Sequence, residues 1–504
     1  MAARCTTGAT ADALRLRAAG AASTGLRHAL AEELLAAVQA SDPASRVEAA
    51  VIRSRTRWHL GDPDGCRAAI EEGLEAAREA RPDVAARMLV EASRRWIFVD
   101  WEPAAAVAAA ETGLSAAQAA GIATARGLML LGLARYVADD PDWLAPTVEA
   151  LAVSRAEGDV ETELLAANNL VTGHESSGDP EAGRALAREM IERSGRVGMA
   201  AWQQQFQALA LNLDLHAGEL RVVVERAVEL LDEPLDPRTR RQIESSLAIA
   251  LIDLGRFELV DRRLEERLAE LPSDDAEVAT IRWAQAESAY WAGRPALAVE
   301  RAREALAAGF PDVFAPLVLR WALVELGREP GDPVQPHAMP LQRGAQDESR
   351  ALLALSSGRD GEAAESFGAA AEQWAPYHRR AALRSELGRA EALRRAGALD
   401  EARAILERLE IEALERGMTP LLGRIRRALR SAGVRRATRP PRTAAAGVTG
   451  REREVLQLVA SGLTTPEIAA RLGVSRTTVT SLVRSAMTRL GARSRGQAAA
   501  LIAG

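Results

Sequence analysis

Residues 178–194 read GDPEAGRALAREMIERS, and this stretch decides the fold. Gly178 can take the left-handed conformation that ends a helix. Asp179 can cap the next helix, and Pro180 suits its first turn, where the missing N–H has no helical partner to lose. Downstream, Leu186, Met190 and Ile191 recur at helical spacing, which predicts a helix with one apolar side. A hairpin of two such helices cannot bury that side alone, so its neighbours must stack on it.

The same punctuation recurs along the chain. Breaks fall at Gly20, Gly61-Asp62-Pro63, Asp100 to Pro103, Asp139-Asp140-Pro141, Gly178-Asp179-Pro180, Gly218, Gly255, Gly293, Gly358 and Gly397. From Gly20 to Gly293 the steps run from 37 to 41 residues, and Gly358 to Gly397 is 39. A step of that length holds two helices of four to five turns and two short loops. In LDEARAILERLEIEALE, residues 399–415, the apolar side is Leu399, Ala402, Ile405, Leu406 and Leu409. The regularity fails at 327–350, where Pro330, Pro333, Pro336 and Pro340 predict an irregular loop or hinge splitting the array.

Composition agrees. Of 504 residues, 48% are hydrophobic and 4% aromatic, so a chain rich in Ala and Leu points to an all-α fold. The two cysteines, Cys5 and Cys66, exclude a disulfide scaffold and fit a reducing, cytoplasmic setting. The first twenty residues carry no apolar signal region, and no apolar run is long enough for a membrane span. All 64 basic residues are arginine. Without lysine there is no phosphate-loop Lys, no kinase strand Lys and no Schiff-base amine. The six histidines, His28, His59, His174, His216, His337 and His378, are scattered singly, and no metal-ligand spacing occurs. No nucleophile elbow is present, and acidic pairs such as Asp139-Asp140 read as caps. No enzyme, cofactor or metal is therefore expected. The nine tryptophans (Trp58, Trp96, Trp101, Trp143, Trp202, Trp283, Trp291, Trp321, Trp374) all fall within the array. They read either as gap fillers between alanines or as an aromatic groove for a ligand.

The array resembles tetratricopeptide-type repeats with a longer unit. RRAGALDEARAILERL, residues 394–409, is similar to the repeat region of large MalT-like regulators of the LuxR class. Those regulators carry an ATP-binding module before their repeats. This sequence starts directly in the repeats and has no Walker lysine, so the module and its switching are not expected here.

After Glu415 the charge changes sign. Residues 416–504 hold seventeen arginines against three acids, although the whole chain is at −6. An acidic body with a basic end is the asymmetry of a chain that meets a polyanion at one end. VRRATRPPRTAAAG, residues 434–447, reads as a linker. The last 57 residues are VTGREREVLQLVASGLTTPEIAARLGVSRTTVTSLVRSAMTRLGARSRGQAAALIAG. Four short helices are legible. Thr449 and Glu452 form a capping box before Val455, Leu456 and Val459. Thr465 caps a second helix, with Pro466 at its first position and Ile468, Ala469 and Leu472 inward. After the Gly473-Val474 turn, Ser475 caps a third, with Val479, Leu482, Val483, Ala486 and Leu490 inward. Ser494 and Gln497 open a fourth, with Ala498, Leu501 and Ile502. The middle pair is a helix-turn-helix. By helical spacing, Thr477, Thr480, Ser481, Arg484 and Thr488 face outward.

T-G-R-E-R-E-V-L, A-S-G-L, E-I-A-A-R-L, G-V-S-R-T-T-V and R-L-G-A-R-S-R resemble the LuxR/NarL-type DNA-binding domain over its full length. The resemblance implies that the third helix enters the major groove of double-stranded DNA, with Thr480, Ser481 and Arg484 at the base-reading positions. Family members often carry a basic or amide residue where Thr480 stands, and His where Leu482 stands. Arg484 is therefore the strong guanine reader. Backbone contacts are expected from Thr465, Ser475, Arg476, Thr477, Thr478 and Arg493, near helix starts. Ala498, Ala499, Leu501 and Ile502 form an apolar strip expected to pair two copies on DNA.

The expectation is thus an all-α chain: a tetratricopeptide-like helical-repeat solenoid over 1–430, a basic linker over 431–447, and a four-helix LuxR-type domain over 448–504. Its expected role is a sequence-specific transcriptional regulator whose repeats sense a small-molecule effector or protein partner. The alternative is a repeat scaffold for protein partners with weak or vestigial DNA binding.

Overall fold

The computed structural model describes residues 8–272, 275, 277–309, 313–331, 340–433, 448–492 and 494–503. Helices alternate with short turns, and no strand occurs among the described residues. The chain divides into two compact units, Met1–Leu209 and Ala210–Gly504.

The first unit contains α1 (Ala9–Thr24), α2 (His28–Ala36), α3 (Pro43–His59), α4 (Pro63–Ala77), α5 (Pro82–Arg94), α6 (Pro103–Ala119), α7 (Ala125–Val137), α8 (Leu144–Glu157), α9 (Val160–Ser176) and α10 (Pro180–Arg196). α11 (Ala200–His216) carries the boundary. Each helix packs on the next, and α3, α5, α7 and α9 also touch in series, which is the packing of stacked hairpins. An ion chain runs along that inner row. Arg55 pairs with Glu91 and, at 2.7 Å, with Glu161, while Arg126 donates to Glu91 at 2.9 Å.

The expected caps form. The Asp179 carboxylate accepts from the Ala182 N–H at 3.1 Å, Pro180 stands in the first turn, and Gly178 is left-handed at φ 84°. On α10 the fully buried stripe is Gly183, Ala187, Met190 and Ser194, with Leu186 and Ile191 half-buried beside it. Gly20 is a correction: it lies inside α1, and the hairpin turns at Gly25–Arg27, where Leu26 has φ 59°. Before the break at Asp100, α5 loosens into a π turn over Arg95–Val99, and Trp101 turns the chain at φ 52° with 61% of its surface exposed.

In the second unit the array continues through α12 (Leu220–Leu231), α13 (Pro237–Asp253), α14 (Phe257–Glu270), α15 (Glu277–Trp291), α16 (Pro295–Ala307), α17 (Phe314–Glu325), α18 (Pro340–Ser356), α19 (Asp360–Trp374), α20 (Arg379–Arg395), α21 (Leu399–Glu415) and α22 (Thr419–Ser431). The expected break at 327–350 is shorter than its prolines suggested. α18 starts at Pro340, in the position where a first-turn proline is tolerated, and residues 332–339, including His337, lie outside the described ones. On α21 the buried stripe is Ala402, Ile405, Leu406, Leu409, Glu410 and Ala413, whereas Leu399 is 47% exposed at the helix start. Residues 434–447 of the expected linker lie outside the described residues.

The tryptophans divide by environment. Trp143, Trp202, Trp291, Trp321 and Trp374 are buried, as gap filling requires. Three of them also donate to carboxylates, an arrangement that the sequence did not disclose. Trp291 donates to Glu287 at 3.1 Å, and Trp321 and Trp374 donate to Glu348 at 2.6 and 3.1 Å. The same acids hold two buried arginines. Arg380 bonds Asp253 and Glu287 at 2.8 and 2.6 Å, and Arg384 bonds Glu348 at 2.6 Å. Two histidine pairs also correct the single-residue reading: His28 stacks on His59, and His216 on His378, with ring centres 4.2 and 4.3 Å apart.

Candidate nucleic-acid interface

The last four helices are α23 (Gly450–Ala460), α24 (Thr465–Leu472), α25 (Arg476–Leu490) and α26 (Arg495–Ala503). Local chemistry fixes each start. Thr449 donates to Glu452 from its N–H and hydroxyl, both at 2.8 Å, and its oxygen accepts from the Glu452 N–H. Glu452 is buried and also accepts from Ser485 at 2.6 Å, which ties α23 to α25. The Ser485 and Thr449 hydrogen bonds hold its carboxyl below the usual range. The second cap is Thr464, one residue earlier than expected. Its N–H and hydroxyl reach Glu467 at 2.6 and 2.7 Å, and Pro466 follows in the first turn. Gly473 makes the turn of the helix-turn-helix at φ 63°, a conformation that is costly for any residue with a Cβ. Ser475 caps α25 by accepting from the Thr478 N–H at 3.1 Å, and Ser494 does the same for Gln497 at 3.1 Å.

Val455, Leu456, Val459, Ile468, Ala469, Val479, Val483 and Ala486 are all buried, as their spacing predicts. Leu472, Leu482 and Leu490 are half-buried at the edge of that core. Burial of these residues turns the other side of α25 outward. Arg476, Thr477, Thr478, Thr480, Ser481, Arg484 and Thr488 are exposed, as is the Ser475 cap. Thr480 and Thr488 return their hydroxyls to the carbonyls of Arg476 and Arg484, each at 3.0 Å. Arg484 is thus a long cation standing among short hydroxyl side chains. That arrangement can present a guanidinium fork to a base edge.

The remaining expected site residues are placed differently. Ala498, Ala499 and Ile502 are buried inside the domain, with Ala498 and Ile502 against Leu456 and Ala486 and Ala499 against Val455 and Val479. These side chains are already used by their own domain and cannot also form an exposed pairing strip. The Leu501 side chain and Arg493 lie outside the described residues. Thr465 is engaged by the array in this structure. Its hydroxyl donates to Asp232 at 3.2 Å and accepts from Arg495 at 3.1 Å.

Asp232 belongs to a seam between α24 and α26 on one side and α12 and α14 on the other. Arg495 pairs with Asp232 at 2.9 Å. Arg263 donates to the Gly462 carbonyl at 2.7 Å and pairs with Glu467 at 2.6 Å. Burial pulls the Glu467 carboxyl up, but the Arg263 charge and the Thr464 hydrogen bonds hold it below its ordinary value. Leu259 packs against the helix-turn-helix core, and a Cβ on Gly462 would stand 3.0 Å from Leu251. A cavity of about 980 Å³ opens beside this seam, lined by Asp232, Arg263 and Trp283 of the array and by Thr464, Glu467 and Arg476. Arg495 escaped the sequence reading because its partner lies 263 positions away.

Residues 446–502 match the family described as bacterial regulatory proteins, luxR family. Residues 446–502 are therefore a LuxR-family helix-turn-helix domain, and the other described residues form an all-helical repeat array. No curated protein matches the chain. Among solved structures, a circular tandem repeat protein with novel repeat topology and enhanced subunit contact surfaces aligns over 84% of this chain and 88% of its own. Its identity is 16% and its TM-score 0.15. Among the described residues no helix is long and apolar enough to cross a membrane.

Proposed function

We propose that this protein is a sequence-specific, DNA-binding transcriptional regulator that enters the major groove with α25, and that its repeats act as the sensing region. The observation that carries the reading is the outward face of α25, where Thr480, Ser481 and Arg484 stand exposed on a capped and buried scaffold. Phosphate contacts come from Ser475, Arg476, Thr477 and Thr478 at the exposed helix start, where first-turn N–H groups already favour an anion. The cavity beside the seam supports the sensing role, because a small molecule there would touch the array and the helix-turn-helix together. The protein binds as a homodimer, because one strong base reader supplies only about 1–3 kcal/mol of discrimination and two copies double it. Pairing then uses surfaces other than Ala498, Ala499 and Ile502.

Selection of bound sequences from a random DNA pool, followed by Arg484→Ala, tests the reading. Arg484→Ala should weaken the selected site by about 1–3 kcal/mol and relax one base position. Selection that yields no enriched sequence, or an Arg484→Ala variant of unchanged affinity and preference, refutes it.

A further inference from the structure

We infer that Thr465, Arg495 and the N-terminal end of α24 form a site for a DNA backbone phosphate, and that Asp232 of the array fills it as an internal substitute. The inference rests on the DNA-binding reading above and adds to it both a binding residue, Arg495, and an occupant. Two donors converge there on one acceptor. The Thr465 hydroxyl and Arg495 Nη1 both reach Asp232 Oδ2, at 3.2 and 2.9 Å. Arg495 is held in place by a third bond, from Nη2 to the Leu463 carbonyl at 3.2 Å. Its Nε is buried and donates to nothing, so the fork has one more donor to give than a single carboxylate oxygen takes up. The end of α24 adds the positive pole of a helix, where anions are favoured. Cationic fork, hydroxyl and helix N-terminus are the group types that bind phosphate oxygens in protein–DNA interfaces.

Asp232 is misplaced for its own helix. It follows Leu231 at the C-terminal end of α12, where the helix dipole disfavours a carboxylate. A local conflict of this kind is expected where a residue serves a more distant contact. The surrounding contacts hold the domain in the same register. Arg263 grips the Gly462 carbonyl and Glu467 at the other edge of α24, and Gly496 leaves no room for a Cβ above Glu225. DNA and the array therefore compete for one site, and DNA must displace Asp232 to gain that phosphate contact.

The test uses the full chain and a random-sequence duplex, with affinity measured across a salt series. Asp232→Asn should tighten binding about fivefold or more, in the range of ordinary site coupling. In the Asp232→Asn background, Arg495→Gln should lower the salt slope by about 0.9, the value of one phosphate contact. Thr465→Val in the same background should weaken binding without changing that slope, and it provides a second readout should the arginine variant misfold. Glu229→Gln removes an equal charge from an exposed position on α12 and should leave affinity unchanged. Amide exchange at Thr465 and Glu467 without DNA reports undocking independently, and Asp232→Asn should speed it. Faster exchange with unchanged DNA affinity overturns the shared site and leaves the DNA-binding reading standing. Equal tightening by Glu229→Gln overturns it as well. If neither the wild type nor any variant retains DNA at low salt, both readings fall.

Discussion

Glu348 is the perturbation whose cost can be worked most directly. It sits on α18 with none of its surface exposed and accepts four hydrogen bonds. Two come from Arg384, at 2.6 and 3.0 Å, and two from the indoles of Trp321 and Trp374, at 2.6 and 3.1 Å. Glu348→Gln keeps the shape, removes the charge and turns an NH₂ toward a donor. Breaking one side of a buried ion pair costs about 3–5 kcal/mol. Arg384 retains Glu287 at 4.0 Å, which puts the expected loss near the lower end, about 3 kcal/mol. Replacing both charged partners with apolar side chains, as in Glu348→Leu with Arg384→Met, should be more stable than Glu348→Leu alone, because no buried charge is then left unpaired, although the Trp321 and Trp374 N–H groups lose their acceptor. Urea unfolding followed by tryptophan emission measures it, since Trp321 and Trp374 are themselves the bonded groups. A Glu348→Gln loss under about 1 kcal/mol, or a double variant no better than the single, would refute the view that this charge cluster is a closed, mutually dependent set.

Other outcomes follow from single contacts. His378 is buried against His216, Phe314 and Trp374, and burial, followed by the charges on His216, Arg380 and Arg384, lowers its pKa well below the ordinary value. The unfolded chain therefore binds a proton below about pH 6.5 that the folded chain refuses, so stability falls as pH drops through that value. In His378→Asn that fall should shrink, as read from thermal midpoints at pH 7 and 5.5. Glu452 works from the other side: its lowered pKa adds stability above about pH 4.3 that is lost on further acidification, and Glu452→Gln should flatten that loss in an acid titration. A Cβ on Gly113 would stand 2.6 Å from the Leu89 carbonyl and 2.7 Å from the Val90 Cα, so overpacking in Gly113→Ala should cost about 1–3 kcal/mol of stability, read as a lower unfolding midpoint, and an unchanged midpoint would show that α5 and α6 can separate freely.

What the sequence disclosed was what neighbours along the chain decide. The Asp179 cap, the Thr449 capping box and the Gly473 turn each depend on residues within three or four positions, and all three formed as read. Gly20 misled because glycine permits a turn without requiring one, and here α1 continues through it beside Ile52. Pro340 misled because proline stops a helix from inside but suits its first position. The charge cluster and the seam could not be read locally, because their partners are remote: Arg380 reaches Asp253 across 127 positions, and Thr465 reaches Asp232 across 233. Exposure of the α25 face followed from helical periodicity, but engagement of Thr465 by the array did not.

Stacked hairpins touch chiefly their immediate neighbours, and this sets where the gene can gain or lose length. A hairpin deleted or duplicated among α3 to α10 alters local junctions and leaves Asp232 and Arg263 on their helices. A one-residue change inside α14 before Arg263 would rotate that side chain away from α24 by about 100° of helical turn. Natural variants of this chain should therefore differ in repeat number toward the N-terminus, while Arg263 keeps its place relative to the start of α14.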